Sequence, residues 1–163
     1  MYRSLKLMHV VGFAMFLGSI LAHIVTGRAQ AGAADPSFVL YARETICLAT
    51  RTLTVPGLIL VIGSGLGMVW LTRGELLRQR WLKLHIALAA AIAATTVAIV
   101  VAVANLTFAA RALSRGGGLE AFVVPEAVER YAGAVNILMI LLVAGIGLLR
   151  PRLQARRVAR VAE

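Results

Sequence analysis

The stretch "SLKLMHVVGFAMFLGSILAHI", Ser4 to Ile24, decides how the rest of the chain is read. Its apolar run of about nineteen residues, rising about 1.5 Å per residue, is long enough for a helix to cross about 30 Å of hydrocarbon. It nevertheless carries His9 near one end and His23 near the other. An imidazole at membrane depth is costly without a partner, which makes both histidines candidate functional positions.

Three further runs have the same character, so that candidate spans fall at roughly 7–25, 53–71, 84–106 and 131–149. The chain is 60% hydrophobic over 163 residues, more than a soluble domain of that size can bury. The expected fold is all-α: a four-helix transmembrane bundle forming a single integral membrane domain over 1–163. The helices are expected at approximately 4–27, 36–72, 81–113 and 125–150, with a basic tail at 151–163 attracted to anionic lipids. "MYRSLK" and "RAQA" imitate the flanks of a cleavable signal peptide, but the run between them exceeds the usual apolar core of about 7–15 residues and holds two histidines. The first helix is therefore expected to be retained.

A formal net charge of +10 could suggest nucleic acid, but the basic residues punctuate apolar runs instead of forming a stripe on a soluble fold. Arg3, Lys6, Arg73, Arg78, Arg80, Lys83, Arg150, Arg152, Arg156, Arg157 and Arg160 flank the N-terminus, the second connection and the C-terminus. The first and third connections mix Arg28, Arg43, Arg51, Arg111, Arg115 and Arg130 with Asp35, Glu44, Glu120, Glu126 and Glu129. By the positive-inside rule the bundle is expected N-in and C-in, with helices two to four extending past the membrane on the noncytoplasmic side. A bacterial inner (cytoplasmic) membrane is the expected location. Cys47 is the single cysteine and cannot form an internal disulfide.

Asp35 followed by Pro36 is a helix-start signal. Arg43, Glu44 and Arg51 then make the first part of the second helix too polar for lipid, and Pro56 marks its entry into the membrane, where it is expected to kink. Gly63 and Gly67, with Gly65 between them, have the small-xxx-small spacing that admits another backbone or a flat ligand. The exposed glycine face makes a homodimer plausible. Trp70 and Trp81 bracket the short turn between spans two and three at interfacial depth, and Pro125 starts the last helix, with Glu126 and Glu129 suiting its positive dipole. "LKLMHVVG" and "LKLHIALA" open spans one and three alike, a weak internal echo.

That echo places His9 and His85 at similar depth on two helices running in the same direction. Two neutral imidazoles so placed suit the axial positions of a haem iron. The competing reading has each imidazole bonding a backbone carbonyl, a serine or a headgroup. Gly12, Gly63, Gly67 and Met68 are the expected neighbours of a bound macrocycle. His23, fourteen residues after His9, lies about 21 Å along the axis and cannot share its iron. It is a secondary candidate, as are Lys83, expected to snorkel to headgroups, and Asn136, expected to hydrogen-bond across the bundle. Met8, Met15, Met68 and Met139 with the histidines allow copper as the alternative metal. No phosphate-binding loop or Ser/His/Asp set of matched depth supports hydrolysis.

"LKLMHVVG", "RTLTVPGLILVIGSGLG", "RWLKLH" and "VNILMILLVAGIGLLRP" together resemble the superfamily of small membrane proteins that includes HemJ-type protoporphyrinogen oxidases and the copper-resistance CopD domain. The likeness is greatest to members known only as predicted integral membrane proteins. It implies a bundle holding b-type haem and a functional histidine at His9. The helix-two proline and the terminal "RP" would correspond to Pro56 and Arg150–Pro151. The HemJ-like branch has an essential lysine four residues after the tryptophan opening helix three. Counted from Trp81 that position holds His85, while Lys83 stands where that branch often has histidine, a departure that points away from protoporphyrinogen oxidation and toward paired imidazoles. The expected function is thus a membrane haem protein with an electron-transfer or oxidoreductase role, exchanging electrons with a quinone, a porphyrin or a redox partner protein. The alternatives are a CopD-like copper-handling or transport protein and a non-catalytic accessory subunit of a membrane complex.

Overall fold

The computed structural model describes the backbone of residues 1–159, and the side chains through 149 with the exception of Leu76. Residues 160–163 of the expected basic tail lie outside the described residues. Among the described residues five α-helices follow one another: α1 (Tyr2–Gln30), α2 (Pro36–Ala49), α3 (Val55–Leu71), α4 (Arg80–Leu113) and α5 (Val123–Ala159). Since α2 and α3 form one continuous rod over Pro36–Leu71, four helices are long and apolar enough to cross a membrane, as the sequence implied. The last helix runs on to Ala159, through most of the segment expected as a separate tail.

The boundaries follow local chemistry. Asp35 caps α2 by accepting from the Ser37 N–H at 2.9 Å, with Pro36 in the first turn. At the end of α4, Gly116 takes φ +90 while its N–H bonds Leu113 O and that of Gly117 bonds Ala112 O. This double closure needs a left-handed residue, and glycine occupies the position without strain. The α3–α4 turn closes the same way, but there Arg73 holds the left-handed position at φ 49.

Just before Pro56 the second span winds into a π-turn. Over Thr50–Thr54 the helix widens, and the Val55 N–H reaches back to Thr50 O. Pro56 explains it: a proline ring inside an α-helix collides with the carbonyl four residues back, here that of Thr52, and a wider turn moves that carbonyl aside.

α1 packs along α3, α4 packs along α5, and α2 bridges the pairs by lying against α1 and α4. The closest approach is between Gly12 and Gly57. A Cβ on Gly12 would stand 2.8 Å from Leu60 Cβ and 2.9 Å from Gly57 O, and one on Gly57 would stand 2.8 Å from Phe16 N. Backbone lies directly against backbone here, which is how membrane helices gain dispersion contact without a hydrophobic driving force. Gly12→Ala or Gly57→Ala is therefore expected to cost about 1–3 kcal/mol of stability, as overpacking does. Gly63→Ala, with nothing within 4 Å of its added Cβ, is expected to cost nearly nothing. Equal losses at all three positions in detergent unfolding would contradict this packing.

Among the described residues two clusters of buried apolar side chains stand out. Leu106, Ala109, Ala110 and Phe122 gather with Val39, Leu40 and Leu113 near the end of the bundle that carries the α1–α2 and α4–α5 connections, called the loop end below. Phe16, Ile92 and Ile140 meet at the centre, with Phe13, Leu17, Ile20 and Leu58 against them. Outside these, large apolar side chains such as Phe108 and Trp70 face outward, 76% and 79% exposed, as lipid contact requires.

Immediately on the loop-end side of the central cluster, three helices turn polar together. Phe16 is followed by Ser19 on α1, Ile92 by Thr96 on α4, and Ile140 is preceded by Asn136 on α5, all three polar residues buried. Asn136 Nδ2 donates to Thr96 Oγ1 at 3.1 Å, and Thr95 Oγ1 lies 3.2 Å from Asn136 Oδ1. The expected cross-bundle hydrogen bond of Asn136 is thus present, and it ties α4 to α5.

Candidate functional site

His9 turns its ring toward α3. Its Nδ1 is 3.0 Å from the Val61 carbonyl and 3.1 Å from Ser64 Oγ. A carbonyl only accepts, so the Nδ1 position carries the hydrogen. Ser64 sends its own hydroxyl hydrogen to Leu60 O at 2.5 Å, which leaves its oxygen as a second acceptor for His9. Both bonds select the Nδ1–H tautomer and leave the lone pair of the neutral imidazole on Nε2. Gly65 lies beside the ring, where an added Cβ would come 3.6 Å from His9 Cε1. The sequence places glycine at this position within "VIGSGLG", and the space is used by the imidazole.

His85 stands on α4 one turn after Trp81, edge to face with it at 6.5 Å between ring centres and 77° between planes. Trp81 donates its indole N–H to Gln79 Oε1. Lys83 is exposed, while Lys6 lies 5.0 Å over the ring of Tyr2.

The relation between the two imidazoles is carried by helix register. His9 precedes Phe16 by seven residues and His85 precedes Ile92 by seven, and Phe16 and Ile92 meet in the central cluster. Seven residues advance a helix by about 10.5 Å and return it to within about 20° of the same face. Since α1 and α4 run in the same direction, both histidines occupy corresponding positions two turns before a shared contact.

The expected neighbours divide. Gly12 faces the backbone of α3, so its missing side chain serves helix contact; Gly67 packs against Leu5, 3.2 Å from a would-be Cβ; Gly63 opens outward; Met68 is half-buried on α3. Among the described residues no group of three or more His, Cys, Asp and Glu side chains gathers for a metal ion.

At the opposite end lies a polar assembly that the sequence reading did not bring together. His23 Nε2 is 3.2 Å from Thr50 Oγ1 and 3.4 Å from Ser19 Oγ. Ser19 Oγ is in turn 2.7 Å from Thr54 Oγ1 and 3.3 Å from the carbonyl of Ala49. Close by, Arg43 of α2 donates to Glu129 of α5 at 2.5 Å, their side chains 4% and 20% exposed, while the Arg43 carbonyl accepts from Thr107 of α4 at 3.3 Å. Arg43 was expected beyond the lipid and Glu129 beside a helix dipole. Their pairing across two helices carried no signal beyond three hydroxyl residues in "TRTLT" and a charge pattern compatible with an exposed face.

No family model matches the chain, and no curated protein or solved structure is similar to it by comparison.

Proposed function

We propose that the chain is a membrane-embedded b-type haem protein with an electron-transfer or oxidoreductase role, in which His9 and His85 would hold the haem iron. The observation that carries this reading is the fixed tautomer of His9. A histidine that ligates a metal through one ring nitrogen almost always donates the other ring N–H to a carbonyl, carboxylate or water, which orients the ring and raises its basicity. The bond from Nδ1 to the Val61 carbonyl, reinforced by Ser64, has that form and presents Nε2 as the donor atom. A structural histidine satisfied at one nitrogen also makes such a bond; the register match with His85 is what favours the ligand reading.

The fit extends to the surroundings. Phe16 belongs to the central apolar cluster and Phe13 packs against it, seven and four residues past His9 on α1. When bound, haem would supply one-electron redox chemistry. The residues themselves would hold it and limit its access to water, while a quinone, a porphyrin or a redox partner protein would exchange electrons with it. His85 in place of the lysine of the HemJ-like branch favours electron transfer over protoporphyrinogen oxidation. A visible spectrum of detergent-purified, haem-replete protein tests the reading: sharp α and β bands on dithionite reduction support it, and colourless folded protein rejects it.

The same reading places the histidine pair near the cytoplasmic face of a bacterial inner membrane. Reporter fusions after Glu163 are expected to behave as cytoplasmic and those at Gly117 as periplasmic, since Arg3, Lys6, Arg73, Arg78, Arg80 and Lys83 all cluster at one end. The reverse pattern would put the pair at the outer face.

A further inference from the structure

The polar assembly around His23 takes no part in the haem reading, lying about 21 Å from His9 by helical rise. We propose that it is a proton-binding half-channel: His23 takes up a proton from the aqueous phase at the loop end, and the central apolar cluster keeps that proton from crossing the bundle.

The argument begins with the bonds. Thr50 Oγ1 donates to Ile46 O at 2.8 Å, and Ser19 Oγ is positioned to donate to Ala49 O. With their hydrogens so directed, both hydroxyl oxygens face His23 Nε2 as acceptors, and a hydrogen on Nε2 satisfies both. That arrangement suits the neutral Nε2–H tautomer and the imidazolium equally, so a proton can be added at Nδ1 without breaking either bond. Farther in, Ser19 and Thr54 stand 2.7 Å apart: with the Ser19 hydrogen on Ala49 O it is Thr54 that donates, and turning the Ser19 hydrogen toward Thr54 reverses the bond. Chains of this kind can reverse their polarity, and proton relays need that freedom. The π-turn brings Thr50 and Thr54 to the same side of the rod, and such turns are common at functional sites.

The chain is open at one end and closed at the other. Glu129, one-fifth exposed, stands at the loop end, paired with Arg43 of α2, the helix that leads into the Thr50 hydroxyl bonded to His23. The other elements present hydroxyls and backbone carbonyls: Ser19 from α1 itself, Thr50 and Thr54 from the π-turn, the Ile46 carbonyl of α2 behind Thr50, and Thr107 from α4 toward the Arg43 carbonyl. Inward, the polar layer ends at Phe16, Ile92 and Ile140, and the next polar side chains on α1 and α3 are His9 and Ser64. The site stands independently of whether haem is bound.

Two measurements on the full chain in liposomes test it. With ring-15N histidine, the signals missing from His23→Asn identify His23; they are expected to convert reversibly from the Nε2–H neutral pattern to the imidazolium pattern between pH 8 and pH 5. A ring locked neutral to pH 5 overturns the proposal and leaves His23 as packing. In vesicles holding a trapped pH dye, with valinomycin and potassium to balance charge, wild type is expected to be as tight to protons as empty liposomes. Ile92→Ser, or Phe16→Ser if that variant does not fold, is expected to leak at least tenfold faster, and adding His23→Asn is expected to close the leak. A folded plug variant that stays tight, or a leak indifferent to His23, likewise overturns it.

Discussion

His9→Ala and His85→Ala are each expected to abolish the six-coordinate low-spin spectrum of the reduced protein, leaving a five-coordinate form or an empty site. The two losses are expected not to add, because a site deprived of one axial ligand has little left for removal of the second to take away. His23→Ala, two helical turns beyond the central cluster, is expected to leave the Soret band in place. A third variant separates ligation from positioning. In Ser64→Ala, His9 keeps its bond to Val61 O but loses the second acceptor, so haem is expected to remain bound with weakened affinity, within the 10–100-fold range typical for such supporting partners. If His9→Ala left the spectrum unchanged in folded protein, the pairing would be rejected whatever Ser64 does.

The second large effect concerns the ion pair that joins α2 to α5. Removing one member of a buried pair leaves the other uncompensated, at a cost of about 3–5 kcal/mol, whereas replacing both by apolar residues of similar volume is often neutral. Arg43 is almost wholly enclosed, so Glu129→Leu, which strands the guanidinium, is expected to reach the upper part of that range. Arg43→Met strands a carboxylate that still touches water and is expected to fall near the lower part. The double variant Arg43→Met with Glu129→Leu is expected to recover most of the loss. Unfolding in mixed micelles reads all three, and a double variant as unstable as the sum of the singles would show that packing rather than charge holds these helices.

Much of the architecture could be read from residue order because its causes are local. Apolar run length gave four spans, Asp35–Pro36 gave the start of α2, and the paired octapeptides gave His9 and His85 equivalent positions. What escaped the reading depends on facing between helices. The small-xxx-small pattern drew attention to Gly63 and Gly67, yet the tight contact is Gly12 against Gly57, because a glycine matters only where a neighbour's backbone arrives and the single chain does not say where. Ser64 was invisible for the same reason: a lone serine among glycines reads as a small residue until a histidine is seen to donate to it. Arg43 and Glu129 are eighty-six positions apart, and charge alone gave each a sufficient explanation at a solvated surface. The π-turn was half legible: Pro56 announced a disturbance, but that the helix widens over Thr50–Thr54 depends on which neighbours hold its flanks.

That π-turn sets how the chain would answer a change of length. It is a stretch of helix holding one residue more than ordinary pitch needs, since the Val55 N–H closes on Thr50 O across five residues where an α-helix closes across four. Deleting one residue from Thr50–Thr54 would restore ordinary pitch and leave α2 facing its neighbours as before, with Arg43 still opposite Glu129. The same deletion within 44–49, where the helix has no residue to spare, would turn everything before it by about 100° relative to α3. The position now held by Arg43 would pass to Ala42, and Glu129 would face a methyl group. Which charge meets which is here a matter of counting: a codon lost in the wide turn is absorbed there, and one lost a turn earlier reassigns the partners of everything before it.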